Sequence, residues 1–128
     1  MEKQYRILLL EDEPLLRRVL TLSLAGQGYQ VIAAGSPEDC ETMLRALGWG
    51  WPDLVLSDAN LCRNPDILLG YLFHTWWRTR FPVPPFLFMR GHARFVRLPD
   101  EGGCRVGHIL KPFAPSDLLL LIRAMMAE

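Results

Sequence analysis

Three short apolar runs in this chain end abruptly in charged residues, and that repetition constrains the fold more than any other feature. Leu54-Val55-Leu56 passes without a polar interruption into Ser57-Asp58. Ile7-Leu8-Leu9-Leu10 runs into Glu11-Asp12-Glu13, and Val106 to Leu110 runs into Lys111-Pro112. Such runs, with no alternation, read as strands buried on both faces, the habit of parallel sheets covered by helices. Open parallel α/β sheets place their chemistry beyond the carboxyl ends of the strands. If the three runs are parallel neighbours, three carboxylates and one ammonium converge on a single pocket.

The segments between them have the spacing of helices. Arg6 to Leu10 is the first strand, followed by Pro14 at the first turn of a helix with Asp12 and Glu13 near its positive end. Leu15, Leu16, Val19, Leu20 and Leu24 recur at helical spacing, and Gly26 and Gly28 close the helix. Tyr29 to Ala34 is a second strand. Ser36-Pro37-Glu38-Asp39 opens a second helix whose apolar face is Met43, Leu44 and Leu47. After the loop Gly48 to Pro52 comes the strand carrying Asp58. Asn64-Pro65-Asp66 reads as the cap of a third helix running to about Arg80. Phe86 to Met89 is a fourth strand, Gly91 to Leu98 a short helix, Val106 to Leu110 a fifth strand and Pro115 to Met126 the last helix. Strands and helices alternating five times imply a parallel sheet with helices on both faces.

A chain of 128 residues can bury one core and hardly two, so residues 1–128 are expected to form one domain. Fourteen basic and fourteen acidic side chains cancel, and no Lys/Arg block stands out. That leaves no electrostatic case for nucleic acid or an anionic membrane, so DNA binding would have to come from a domain outside this sequence. Cys40, Cys62 and Cys104 are odd in number and lack C-x-x-C spacing, as expected of reduced thiols in a cytoplasmic protein. Glu11-Asp12-Glu13 cuts short the apolar start of the chain, so neither a secretory leader nor a membrane span is expected. His74, His92 and the cysteines show no transition-metal spacing.

Carboxylates held together repel one another, so such a cluster usually means that a cation binds there. Magnesium keeps several waters and takes one or two carboxylates from a protein, often with a phosphoryl group completing the shell. Asp12 and Asp58 suit direct ligation, Glu11 ligation through a water, and the backbone carbonyl of Asn60 a further oxygen; manganese is an acceptable substitute. A carboxylate can also attack phosphorus. Asp58 is the best placed to do so, with Lys111 neutralising a phosphoryl oxygen as a point charge. Taken singly, Glu11 and Asp12 do no more than favour a helix start, and Asp58 with Lys111 reads as an exposed ion pair.

The chain resembles the receiver domain of bacterial two-component response regulators, the CheY-like family, over essentially its whole length. The segments "ILLLEDEP", "PDLVLSDANL", "PFLFMRGHA" and "HILKPF" carry the resemblance in order, with Asp58 46 residues after Asp12 and Lys111 53 after Asp58. It implies a flavodoxin-like (βα)5 domain with strand order 2-1-3-4-5. It makes Glu11 and Asp12 the acidic pair, Asp58 the phosphoacceptor and Lys111 the lysine before a cis-proline at Pro112. The implied partner is a sensor histidine kinase or phosphotransfer protein, with magnesium as cofactor. The "RGHA" segment and the ending "KPFAPSDLLLLI" look most like receivers of hybrid histidine kinases. Leu118 to Ile122 is apolar all round, and in this family the last helix commonly contributes to a homodimer or partner face.

Three departures from the family stand out. Arg90 occupies the position usually held by Thr or Ser, whose hydroxyl reports the phosphoryl group; its guanidinium either turns to solvent or reaches over the pocket toward Asp58. The Pro-Gly-x-Asp-Gly loop after the phosphoacceptor is replaced by Cys62-Arg63-Asn64-Pro65-Asp66, with no glycine before Gly70. His108 stands at the switch position, where Tyr or Phe is commoner, and is expected to be a satisfied, half-buried ring. Trp76 and Trp77 lie about 100° apart on a helix, so both are hardly central in one core. Three functions therefore compete: a phosphoacceptor signalling domain, a pseudo-receiver that binds partners independently of phosphate, and an Asp-dependent phosphohydrolase. The last lacks the spare length for a substrate-covering cap.

Overall fold

The structure, a computed structural model, describes residues 3–61, 68–91 and 105–127. Its elements are β1 (Arg6–Leu10), α1 (Pro14–Gly26), β2 (Gln30–Ala34), α2 (Pro37–Leu47), β3 (Leu54–Asp58), α3 (Leu69–Arg78), β4 (Phe86–Arg90), β5 (Val106–Leu110) and α4 (Pro115–Met126). All strand pairs are parallel and the order is β2-β1-β3-β4-β5. The expected 2-1-3-4-5 sheet is therefore observed.

Side chains alternate across each strand, so each central strand feeds two cores. On one face Leu8, Leu10, Val55, Phe86 and Phe88 meet Cys40 and Leu44 of α2 and Tyr71, Phe73 and Trp77 of α3. On the other, Ile7, Leu9, Leu54, Leu56, Leu87 and Met89 meet Leu20 and Leu24 of α1 and Leu118, Ile122 and Met125 of α4. Uninterrupted apolar strands are the consequence of two covered faces. Burial, with the charges of Asp39 and Glu38, pushes the Cys40 thiol up to about 12, which leaves it inert.

Helix starts follow the sequence closely, with one exception. Ser36 caps α2 through Asp39 N, with Pro37 opening the helix. Glu13 caps α1, its carboxylate accepting from Leu15 N and Leu16 N, so this side chain is committed to the helix. The exception is α3, which begins at Leu69; the cap expected at Asn64-Pro65-Asp66 lies outside the described residues. Gly70 explains the start observed. Its amide donates to the Ala59 carbonyl, and a Cβ there would stand 2.2 Å from the Asp58 carbonyl oxygen. The first turn of α3 is pressed against the end of β3, a contact only glycine permits. Gly70→Ala should therefore destabilise the domain by roughly 3 kcal/mol, the upper end of ordinary overpacking. Urea unfolding checks this, and an unchanged midpoint would contradict the contact.

The two tryptophans divide as their spacing requires. Trp77 is fully buried, while Trp76 is half-buried against Trp49 of the α2–β3 loop at a centroid distance of 5.4 Å. The short helix expected at Gly91 to Leu98 falls, from residue 92 on, outside the described residues, as do His92, Cys62 and Cys104. No helix among the described residues is long and apolar enough to cross a membrane.

Candidate functional site

Parallel register brings the charged strand ends to one edge of the sheet. Leu10 is level with Ser57, Asp58 with Met89, and Arg90 with Leu110, so the residues that follow each strand gather at the same end. Glu11 is fully buried, Asp58 is 7% exposed, and Asp12 is half-buried. Carboxylate oxygens of all three lie within 4.8 Å of one another. Lys111 reaches them from β5: its Nζ donates to Glu11 Oε1 at 2.6 Å and stands 3.5 Å from Asp58 Oδ2. The bland alternative of an exposed Asp58–Lys111 pair does not describe the site, because Asp58 is buried and Glu11 is the nearer partner of Lys111.

Backbone groups set the rest of the pocket. Asn60 N donates to Asp58 Oδ1 at 3.1 Å, which turns the loop after β3 back over the carboxylate. Ala59 N donates to the Met89 carbonyl, Lys111 N donates to the Arg90 carbonyl, and the Lys111–Pro112 peptide is cis. The Arg17 guanidinium donates to the Glu11 carbonyl oxygen at 2.9 Å.

The electrostatics show excess negative charge. Burial pushes the Glu11 carboxyl up to about 7; the hydrogen bond from Lys111 opposes that and the charge of Asp58 adds to it. For Lys111, burial pulls the pKa down, but the bond to Glu11 and the charge of Asp58 outweigh it and hold the ammonium above its usual range. Three all-oxygen acids around one ammonium are a donor set that suits a hard divalent cation such as magnesium or manganese. Asp12 and Asp58 are the candidates for direct ligation. Glu11, engaged by Lys111, is suited to a water-mediated role; Asn60 is held beside Asp58 by its amide, and its carbonyl stays a candidate further oxygen.

On the opposite face of β4 and β5 the switch candidates meet. His108 is half-buried, stacked on Phe88 at 5.8 Å and 6.1 Å from the Tyr71 ring. It is not satisfied as expected: its Nδ1 is buried without a hydrogen-bond partner among the described residues. The contacts it makes with Phe88 and Tyr71 are ring to ring. Burial, followed by the charge of Arg90, lowers its pKa. Arg90 is half-buried at the end of β4, and strand alternation puts it on the Phe88 side.

His74 is a second buried ring that the sequence left unassigned. It packs edge-on against Phe86 at 4.7 Å, and its Nε2 also lacks a partner among the described residues. Burial, with the charge of Arg78, lowers its pKa from 6.5 to about 4. A folded pKa below the unfolded value contributes stability that is present above pH 6.5 and lost as pH falls through about 4. Glu11 has the opposite sign, losing stability as pH rises from 4.5 to about 7. Replacing His74 by Phe should therefore reduce the fall in thermal midpoint between neutral and acid pH. An acid slope equal to that of the wild type would contradict the assignment.

With this geometry established, the relatives are informative. No protein-family model matches the chain. It is 32% identical over 122 residues to the phosphate regulon transcriptional regulatory protein PhoB of Escherichia coli K12, covering 94% of this chain and 51% of that protein. It is 32% identical over 120 residues to the DNA-binding response regulator MtrA of Mycolicibacterium smegmatis, covering 93% of this chain and 49% of that protein. A response regulator receiver protein from Sinorhizobium medicae superposes with a TM-score of 0.77 at 25% identity, covering 98% of this chain and 96% of the other.

The chain belongs to the CheY-like receiver domains of response regulators. A receiver domain from Methylobacillus flagellatus has the same fold, with a TM-score of 0.75 at 18% identity over 96% of this chain and 99% of that one. The chain spans about half the length of the curated regulators it matches. Those relatives are transcriptional regulators, so the likeness to hybrid-kinase receivers stays an expectation. What sequence reasoning missed in this receiver domain is its support: Gly70 beneath Asp58 and Arg17 behind Glu11. Gly70, as the first glycine after the altered loop, was the available signal.

Proposed function

We propose that this receiver domain accepts a phosphoryl group on Asp58 from a phosphohistidine of a sensor kinase or phosphotransfer protein. The observation that carries the reading is the buried cluster of Glu11, Asp12 and Asp58 closed by Lys111. An Asp58 carboxylate oxygen forms the new bond to phosphorus. The bond from phosphorus to the donor imidazole breaks, and that imidazole leaves with its electron pair and takes a proton. Magnesium held by Asp12 and Asp58, with Glu11 and the Asn60 carbonyl supporting it, would neutralise phosphoryl charge. Lys111 does the same from the β5 side, and the Asn60 amide fixes the orientation of the Asp58 carboxylate.

The donor needs a surface beside the pocket. Helix α1 starts there and exposes Leu15 (68%), Val19 (54%) and Leu22 (62%), an i, i+4, i+7 stripe fitted to the helices of a partner. Exposed Leu120 lies on α4, which suits a second copy on the last-helix face. Incubation with acetyl phosphate, with and without magnesium, tests the proposal. Metal-dependent labelling supports it, and no labelling in either condition favours the pseudo-receiver reading.

That second reading is motivated by Arg90. A guanidinium is longer than a hydroxyl and permanently charged, so it can meet a pocket carboxylate without phosphate and compete with the cation. A ligand shifts a conformational equilibrium only by its differential affinity for the two states. Arg90→Thr is then expected to raise magnesium affinity and to enlarge the response of β4 and β5 to beryllofluoride. Unchanged affinity in a magnesium titration would remove the role assigned to Arg90.

A further inference from the structure

Arg17 belongs to the second turn of α1, yet its side chain returns to the loop before the helix. Its Nη1 donates to the carbonyl oxygen of Glu11, six residues earlier, at 2.9 Å. The amide of the same residue donates to the Ala34 carbonyl at 3.1 Å, extending the β1–β2 ladder by one rung. Both backbone groups of Glu11 are therefore held, one by β2 and one by Arg17. Two residues on, the Glu13 carboxylate is held by the amides of Leu15 and Leu16. Asp12 lies between these two fixed points. Its neighbour Arg18 is exposed, so the contact is a property of position 17 and not of basic charge on α1 in general.

Gly35 supplies an independent observation. A Cβ at this position would stand 2.8 Å from Arg17 Nη1 and 3.6 Å from Cζ. The residue is not among the described glycines with positive φ, which are Gly28 and Gly48. Backbone conformation therefore does not call for glycine at 35. The vacancy accommodates the guanidinium.

We propose that Arg17, seated over Gly35, is a positioning residue that fixes the Glu11–Asp12 loop and thereby the affinity of the acidic pocket for its divalent cation. The proposal rests on the phosphoacceptor reading for its consequence but not for its geometry. A charged donor on a part-buried carbonyl makes one of the stronger hydrogen bonds available to a loop. Groups one step behind the ligands typically alter metal affinity by ten- to a hundredfold when removed.

Two measurements on the whole chain test it. In the metal-free protein, amide hydrogen exchange at Glu11 and Asp12 should speed up in Arg17→Ala and stay at the wild-type rate in Arg18→Ala. In a magnesium titration, Arg17→Ala should bind about tenfold more weakly. Its maximal labelling rate at saturating magnesium should be unchanged, a split that loss of fold would not produce. Gly35→Ala retains the arginine but places a methyl against its flexible end, so it should show the same weakening. The double variant should be no worse than Arg17→Ala, because both changes remove one contact. Wild-type exchange in Arg17→Ala, or losses in the two single variants that add in full, would overturn the proposal. If the wild type neither binds magnesium nor takes label, the phosphoacceptor reading falls, and the exchange rates still decide the role of Arg17.

Discussion

Asp58→Asn is expected to abolish phosphoryl labelling altogether. The substitution keeps the size and planarity of the side chain, and its oxygen can still accept from Asn60 N, so the loop after β3 has no reason to move. What disappears is the anionic nucleophile and one of three clustered charges. Asp58 raises the Glu11 pKa and adds to the charge holding Lys111 protonated, so the variant should also bring the Glu11 carboxyl down. Because like charges are thinned out, folding stability should not fall. Intact-protein mass after treatment with acetyl phosphate and magnesium, together with urea unfolding, reads both expectations. Stoichiometric label retained by Asp58→Asn would move the phosphoacceptor elsewhere.

How far the sequence disclosed this arrangement depended on whether a feature was local. Leu54-Val55-Leu56 ending at Ser57-Asp58 is a local signal, and parallel pairing then carries Glu11, Asp12, Asp58 and Lys111 to one edge without further information. Ser36 and Pro37 announce α2 by capping chemistry that acts within four residues. The start of α3 is different. It is decided by how closely Gly70 must approach the Asp58 carbonyl, a contact between residues twelve apart that no propensity encodes. The Nδ1 of His108, without a partner among the described residues, likewise depends on Tyr71 and Phe88 packing against the ring, which only the folded sheet brings about. Glu13 shows the middle case: its place before Pro14 marked a helix start, but its commitment to capping, rather than to the acidic cluster, required the structure.

Lys111→Met is expected to cost about 3–5 kcal/mol of folding stability at pH 8, the range for breaking one partner out of a buried ion pair. Lys111 is the hydrogen-bonded cation of a carboxylate with no solvent exposure, and the long methionine side chain fills much of its space without replacing the charge. The pH dependence distinguishes this cause from lost packing. The Glu11 pKa already stands at about 7 because burial outweighs Lys111, and removing that lowering influence carries it higher. A carboxyl raised in the folded state loses stability as pH climbs from its unfolded value of 4.5 through the folded one. The deficit of Lys111→Met should accordingly shrink at pH 6, where Glu11 takes up a proton, and grow toward pH 8. Adding Glu11→Gln should recover most of the loss, since neither charge is then left unpaired. Equal deficits at both pH values, or no recovery in the double variant, would assign the loss to packing. Recovery of stability by Glu11→Gln, accompanied by loss of magnesium binding, would show that the charges are retained for the cation. The fold alone would be served as well without them.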